Sequence, residues 1–514
     1  MSSSSETAVP TARKKRAHGK GRSDATLGHA SQNTSSPEGA KESVGLPVGW
    51  QQLTLGTECD ILAGFGFPER FQGKSIGDLP FFKVGDISET WKRGDVFLTR
   101  ANHYVSHAES RELRAKPLPA NTTVFAKIGA AIALNRRAIL SDASLVDNNV
   151  MGLHPASDKL DYKFLFHFVC TLKLDELSRA TTVPSIRKSD IEAITIPVPP
   201  PPEQRRIVAE IEKQFTRLDV GVAALRRVQA NLKRYRAAVL KAACEGRLVP
   251  TEAELAKTGN RKEKLENGEA LLVRILAERR ENWKGRGQYK EPARPDKTKL
   301  PQLPEGWTWT NIGQVTEVGT GATPNRGKSE YYVGGTIPWI TSGRVNNPRV
   351  DEADQFVTST ALEQCNLTVY LPGTLLLAMY GEGKTRGMAS ELSIEASTNQ
   401  ALAAIQTPEA IRGFIKIVLW KNYEDVRKSA SGGVQPNLNL SIVRAIPVPL
   451  PPLAEQTRIV AEVERRLSVV EEMEAMVSAN LQRATRLRQS ILQKAFTGKL
   501  AGAEKHQQSK AQRP

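Results

Sequence analysis

The sequence predicts an α+β protein: two similar globular domains separated by two long antiparallel coiled-coil helices, with pseudo-twofold symmetry. Three observations predict it. First, the chain repeats itself. Ile196-Pro197-Val198-Pro199-Pro200-Pro201-Pro202-Glu203-Gln204 returns as Ile446-Pro447-Val448-Pro449-Leu450-Pro451-Pro452 and, two residues later, Glu455-Gln456. Arg206-Ile207-Val208-Ala209-Glu210 reappears as Arg458-Ile459-Val460-Ala461-Glu462, and Gly246-Arg247-Leu248 as Gly498-Lys499-Leu500. Leu46-Pro47-Val48-Gly49-Trp50 is answered by Leu303-Pro304-Glu305-Gly306-Trp307. A unit of about 250 residues lies far outside the roughly 20–50-residue periods of solenoid repeats, so this is a duplicated domain-plus-helix. Second, the apolar period becomes helical after each Pro-rich segment. Third, the stretches before those segments carry short β-like runs broken by Gly and Pro turns.

Taken in order, residues 1–45 are rich in Ser, Thr, Ala, Gly and Lys and nearly free of large apolar residues, which predicts a disordered basic tail. Its Arg13-Lys14-Lys15-Arg16 cluster is either a phosphate contact or simply solvated. Residues 46–202 form the first globular domain, with strand-like runs at Val96–Thr99 and Thr123–Ala126 and a helix near Lys159–Leu172. Residues 203–249 form the first long helix. Its apolar residues Ile207, Ile211, Phe215, Leu218, Val222, Leu225, Val228, Leu232, Tyr235 and Val239 fall in steps of three and four. Residues 250–302 are a charged connector with a short helix near Glu269–Arg280. Residues 303–453 form the second globular domain, with a buried strand at Thr374–Met379 and an amphipathic helix at Ala410–Lys421. Residues 454–502 form the second long helix, striped by Ile459, Val463, Leu467, Val470, Met473, Val477, Leu481, Ala484, Leu487 and Ile491. Residues 503–514 are a second disordered tail.

Both stripes run for more than four heptads, which is coiled-coil spacing. Two equal stripes on one chain bury each other most simply as an antiparallel pair. The predicted packing residues are Ile207, Ile211, Phe215, Leu218, Val222, Leu225 and Leu232 on the first helix. On the second they are Ile459, Val463, Leu467, Val470, Val477, Leu481 and Ile491. At about 1.5 Å per residue, Ile207 to Val239 spans roughly 48 Å. The prolines within 199–202 and 449–452 cannot continue a helix and stiffen the exit from each domain. A plain dimerisation helix is the alternative for either stripe alone, and the duplication argues against it.

At 514 residues the chain has room for three or four domains. Its formal net charge of +17 suits a polyanionic partner. The location of that charge is more telling. Residues 46–202 carry +1 and 303–453 carry −1, whereas 203–249 carry +6, 250–302 carry +4 and 454–514 carry +4. Basic residues that touch nucleic acid from the globular domains must therefore be segregated on one face. Four widely spaced cysteines (Cys59, Cys170, Cys244, Cys365), with no Cys-x-x-Cys pair, exclude the usual zinc frameworks and fit a reducing cytoplasm. No signal region opens the chain and no run of 18 apolar residues occurs, so neither export nor a membrane span is expected.

The Pro-rich hinge, the Glu-Gln pair, the long helix and the closing Gly-Lys/Arg-Leu resemble the specificity subunit of type I restriction–modification systems. Internal signatures agree. Thr320-Gly321-Ala322-Thr323-Pro324 leads to Ile337-Pro338-Trp339-Ile340 and Gly343-Arg344-Val345, and the first copy offers Leu79-Pro80-Phe81-Phe82 and Gly85-Asp86-Ile87. Leu377-Ala378-Met379-Tyr380-Gly381 matches Phe125-Ala126-Lys127-Ile128-Gly129, and Ser397-Thr398-Asn399-Gln400 matches Val146-Asp147-Asn148-Asn149. Gln435-Pro436-Asn437-Leu438 matches Val183-Pro184-Ser185-Ile186. The resemblance covers about 46–502, and the second copy is the closer match. It implies a non-catalytic subunit whose globular units are target recognition domains, each docking on one half of a bipartite double-stranded DNA sequence. The helices act as a ruler and as a platform for two modification subunits. Those subunits bind S-adenosylmethionine and methylate adenine, and restriction subunits translocate and cut DNA. The resemblance places no cofactor on this chain, and leaves S-adenosylmethionine, ATP and magnesium to the partner subunits.

Candidate base readers are polar residues in Gly-rich loops ahead of strands: Lys83, Arg100, Asn102 and His103 in the first copy, and Thr323, Asn325, Arg326, Lys328, Ser342, Arg344, Asn346 and Asn347 in the second. Arg pairs with guanine and Asn with adenine through bidentate hydrogen bonds. The bland alternative for each is a phosphate contact or a solvated loop. Gly327-Lys328-Ser329 and Gly383-Lys384-Thr385 mimic a phosphate-binding loop, but the motif's first glycine is replaced by Ala322 and Ala378. His103 and His107, four apart, have no carboxylate pattern to support metal binding, and no metal site is expected. Neither an Asn-Pro-Pro-aromatic methylation motif nor a nuclease arrangement is present, which disfavours a fused methyltransferase or nuclease. The other alternative is a coiled-coil scaffold with two protein-binding heads.

Overall fold

The short β-runs pair into two copies of one sheet arrangement, and the long stripes become two equal helices. The computed structural model describes residues 46–178, 183–259, 266–283, 287–381, 385–429 (side chains to 423) and 438–500. The two terminal tails, Arg13–Arg16, Gly383-Lys384 and Gln435-Pro436-Asn437 lie outside the described residues.

The first domain contains β1 (Gln51–Thr54), β2 (Cys59–Ala63), β3 (Leu79–Phe82), β4 (Phe97–Leu98), β5 (His103–Val105), β6 (Thr123–Ala126), β7 (Arg137–Leu140), β8 (Leu145–Val146), β9 (Val150–Pro155) and β10 (Thr195–Val198). The second contains β11 (Thr308–Asn311), β12 (Glu317–Thr320), β13 (Ile337–Ile340), β14 (Arg349–Val350), β15 (Gln355–Val357), β16 (Leu375–Ala378), β17 (Ala389–Leu392), β18 (Ser397–Thr398), β19 (Leu402–Gln406) and β20 (Pro447–Leu450). The strand orders are β2-β9-β6-β7-β4, β5-β3-β8 and β1-β10 in one, and β12-β19-β16-β17-β14, β15-β13-β18 and β11-β20 in the other. Each order repeats with every strand number raised by ten.

Burial explains the composition of the central strands. Every residue of β16 is buried, because successive side chains of a strand point to opposite faces. Leu375 and Leu377 enter the core that includes Phe414 of the helix Glu409–Ser429, while Leu376 and Ala378 meet Ile340 and Val345 beneath the smaller sheet. In β6, Phe125 and Val124 divide in the same way.

Hydrogen bonds set the correspondence between copies. The Asp147 amide donates to the Phe82 carbonyl at 3.0 Å, and the Asn399 amide to the Ile340 carbonyl at 3.0 Å. Leu145-Val146-Asp147-Asn148 therefore stands where Ser397-Thr398-Asn399-Gln400 does, one residue from the match by residue type. That match would turn β8 over, because a one-residue slip exchanges the two faces of a strand.

The central helix Pro201–Cys244 and the C-terminal helix Leu453–Phe496 each contain 44 residues. Both ends differ by 252 in number. Pro201 and Pro202 lie inside the first turn, where the amide hydrogens that proline lacks have no intrahelical acceptor. The helices run antiparallel with a seam in three parts. Ile207 and Ile211 meet Ile491, Leu492, Ala495 and Phe496 inside the first domain's core. Leu225, Val228 and Leu232 meet Val470, Val477 and Leu481 between the domains. Val239, Leu240 and Ala243 meet Ile459, Val463 and Leu467 inside the second core. Phe215 packs at the edge of the first core, and Leu218 and Val222 are half-buried. Tyr235, Met473 and Leu487 share the stripe by spacing yet are 45%, 40% and 48% exposed. A helix of 3.6 residues per turn drifts off a 3.5-residue seam and carries them to its edge.

Each helix thus starts in its own domain and finishes in the core of the other. Gly246 and Gly498 end them at φ +66° and +72°, Gly246 against Pro304 and Gly498 against Pro47. A side chain at either would need a left-handed backbone and would strike the proline ring. Arg236 pairs with Glu471 at 3.3 Å, and Arg488 pairs with Asp219. These are one interaction made twice, since 236 and 488, and 219 and 471, also differ by 252.

The connector helix Gly268–Glu281 is not a free link. Leu271 and Ile275 are buried in the second domain's core. Arg279 Nη1 donates to the carbonyls of Gly313 (2.6 Å) and Thr316 (2.8 Å). Among the described residues no helix is long and apolar enough to cross a membrane.

Candidate nucleic-acid interface

The duplicated glutamine ties each head to its helix, and the glutamate before it does so only in the second copy, since Glu203 pairs with Arg206 of its own helix at 3.4 Å. Gln204 Nε2 donates to the carbonyls of Pro199 (2.8 Å) and Lys159 (2.7 Å), and its Oε1 accepts from the Asp161 amide at 2.8 Å. Gln456 Nε2 donates to the Pro451 carbonyl at 2.9 Å. Both glutamines are buried. In the second copy the buried Glu455 accepts from the Trp307 indole at 3.0 Å and from the Glu252 amide at 3.1 Å. Burial raises its pKa, against the lowering effect of those hydrogen bonds. Repetition revealed the pair, and its bracing role needed the side-chain geometry.

The candidate base readers gather around the smaller sheet of each head. In the first, Lys83 caps the helix Val84–Arg93, donates to Gln72 Oε1 at 2.6 Å and lies 5.3 Å from the Phe67 ring centroid. Phe67 stacks on Phe81 of β3 at 3.6 Å and meets the His103 ring edgewise at 5.5 Å. Asn102 donates to Asp86 Oδ1 at 2.7 Å. Burial, then the nearby Lys83 ammonium, lower the pKa of His103. Lys83, Asn102 and His103 are therefore brought together, and Arg100 lines an adjoining cleft with Asn102, Asp86 and Glu89. His107 opens a short helix while His103 lies in β5, so the two share no helix face.

In the second head the candidates form two groups. Arg326 donates to Gln355 Oε1 at 2.9 Å and lies between the Tyr332 and Trp339 rings, 5.6 and 5.5 Å from their centroids. Lys328 lies 5.1 Å from the Tyr331 ring, and Thr323 donates to Gln400. Asn325 accepts from the Gly327 amide at 2.9 Å, closing a turn. Cations over aromatic rings beside a strand edge can meet both phosphates and base faces.

The second group follows β13. Ser342 and Arg344 form a single 3-10 turn, Asn346 donates to the Gly343 carbonyl at 2.7 Å, and the Asn347 carbonyl accepts from Ser390. Arg344 forms ion pairs with Glu352 (2.9 Å) and Asp354 (3.0 Å). The pairing of β3 with β5, and of β13 with β15, sets Asn102 against Asp354. Asp86 likewise corresponds to Arg344. One locus thus carries a donor–acceptor pair of opposite sense in the two heads. The sequence already sets Asp86 against Arg344, whereas the correspondence of Asn102 with Asp354 needs the strand pairing.

Comparison with known proteins agrees with the geometry. The family model for the type I restriction modification DNA specificity domain matches residues 47–220 and 304–470. The type I restriction enzyme EcoDI specificity subunit of Escherichia coli is 27% identical over 333 residues, covering 64% of this chain and 67% of that one. The EcoBI specificity subunit of the same species is 23% identical over 466 residues, covering 88% and 86%. A chain from a solved structure described as addressing complex assembly and conformational transition of the type I R-M system superimposes with a TM-score of 0.57 at 21% identity. It covers 88% of this chain and 99% of its own length, a likeness of fold. Two copies of the domain on one chain, joined as the hinge and helices join them here, place this protein in the family of type I restriction–modification specificity subunits, which are non-catalytic.

Proposed function

We propose that this chain is the DNA-binding specificity subunit of a type I restriction–modification complex, reading a bipartite target with one head per half-site. One observation carries the reading: two heads of identical strand order are held apart by two 44-residue antiparallel helices. One turn of DNA is about 34–36 Å, and the paired stripe is roughly 48 Å long, so the rod can hold two readers about a turn apart. The helix pair sets the unread spacer. Two modification subunits, carrying S-adenosylmethionine, dock on this frame and methylate adenine, while restriction subunits supply the ATP- and magnesium-dependent cleavage. Adenine methylation requires base flipping into a snug pocket, and that pocket belongs to the partners.

The test is sequencing of methylated adenines in a host carrying the system, before and after residues 303–445 are exchanged for another family member's domain. A two-part motif with only one half altered supports the reading. An unsplit motif, or a change in both halves, overturns it.

A further inference from the structure

The heads are nearly neutral, so the basic surplus of the central helix is unexplained by half-site reading. Between Asp219 and Glu245 that helix has no acidic residue and six basic ones. Arg236 turns to the seam and pairs with Glu471. Arg226, Arg227, Lys233 and Arg234 are exposed, and no carboxylate pairs with them among the described residues. At about 100° per residue the four lie within an arc of roughly 120°, centred nearly opposite the seam residues Leu225, Val228 and Leu232. At the positions 252 residues later the C-terminal helix has Ser478, Ala479, Thr485 and Arg486. The central helix therefore presents a strongly basic outer face midway between the heads, to which the C-terminal helix adds the exposed Arg483 and Arg486.

We propose that this face contacts the DNA backbone across the unread spacer. The inference rests on the function proposed above. Four unpaired cations along about 12 Å of rod face a polyanion bearing one charge per about 1.7 Å of axis. Arg234 donates to the Asn231 amide oxygen, but among the described residues none of the four meets a carboxylate, and such guanidinium and ammonium groups bind phosphate oxygens irrespective of sequence. The contact adds affinity where no base is read, leaving target choice to the heads.

The experiment measures binding of the assembled complex, modification subunits included, to duplexes bearing the methylated target or a scrambled one, over a salt series. The variant carries Arg226→Gln, Arg227→Gln, Lys233→Gln and Arg234→Gln, with helix content checked by circular dichroism. Each lost phosphate contact lowers the slope of log affinity against log salt by about 0.9. The expected drop is about 2–4, equal on both duplexes, with discrimination between them retained. Replacing the three arginines by lysine should keep the slope. An unchanged slope would identify a solvated face and overturn the proposal. So would loss of the modification subunits from the variant complex, which would mark a protein interface, or loss of discrimination alone, which would mark base reading. If the unmodified complex does not discriminate target from scramble, the proposed function fails instead.

Discussion

Phe496 tests the circuit that joins each helix to the opposite head. It is the last residue of the C-terminal helix, yet its ring lies 5.0 Å from Phe164 and 5.4 Å from Phe168, both in the first domain. It is 8% exposed, so Phe496→Ala removes a nearly complete buried ring and leaves a cavity. Such truncations cost about 3–5 kcal/mol, edge contacts of about 0.5–1.5 kcal/mol each included. A position in the final turn can relax partly, so about 3 kcal/mol is expected. Hydrogen exchange by mass spectrometry should show lost protection in the helix Tyr162–Val169 and in the start of the central helix, with the second domain unaffected. Protection lost in residues 303–450 instead, or nowhere, would refute the crossed-over connection.

Other predictions follow from the same geometry. Burial, then the nearby Lys163 ammonium, holds His167 down at about 4 from its usual 6.5. A pKa depressed in the folded state gives stability that is full above about pH 6.5 and falls as the pH drops toward 4. About 2–3 kcal/mol should be lost by pH 4.5, and urea titrations of His167→Leu should be that much less pH-dependent. A heptad inserted at matching places in both helices separates the heads by about 10.5 Å, or roughly 3 base pairs at about 3.4 Å each. Methylome sequencing should show the spacer longer by that amount with both half-sites kept. Binding should weaken, because those pairs also turn the second half-site by roughly 105°. If Arg344 reads a base, Arg344→Ala should cost about 1–3 kcal/mol of discrimination at one position of one half-site. Equal weakening on all duplexes would mark a phosphate contact.

The duplication, the helix pair and the hinge were legible because they leave repeats and periods. The heads were legible in part: the runs at Val96–Thr99, Thr123–Ala126 and Thr374–Met379 contain strands, and the helices near Lys159–Leu172 and Ala410–Lys421 form. Leu145–Val146 and Ser397–Thr398 are strands of two residues, too short for any period to show. The paired sense of Asp86–Asn102 and Arg344–Asp354 depends on which strands lie side by side, which spacing along the chain does not encode. Tyr235 and Leu487 fit the stripe by counting, but helical drift moved them out of the seam. For the connector helix the amphipathic pattern was visible and its partner was not, since periodicity names a buried face without naming what covers it.

Packing of that helix has a practical consequence for recombination. Gly268 sits so close to the Leu450 carbonyl that a methyl group there would collide with it, and Arg279 closes the end of the segment Ile312–Val315. A donor domain spliced in at residue 303 inherits a cap built for another surface. Chimaeras cut upstream of Asn267 carry lock and key together, and should yield folded protein more often than those cut at the Pro304 boundary.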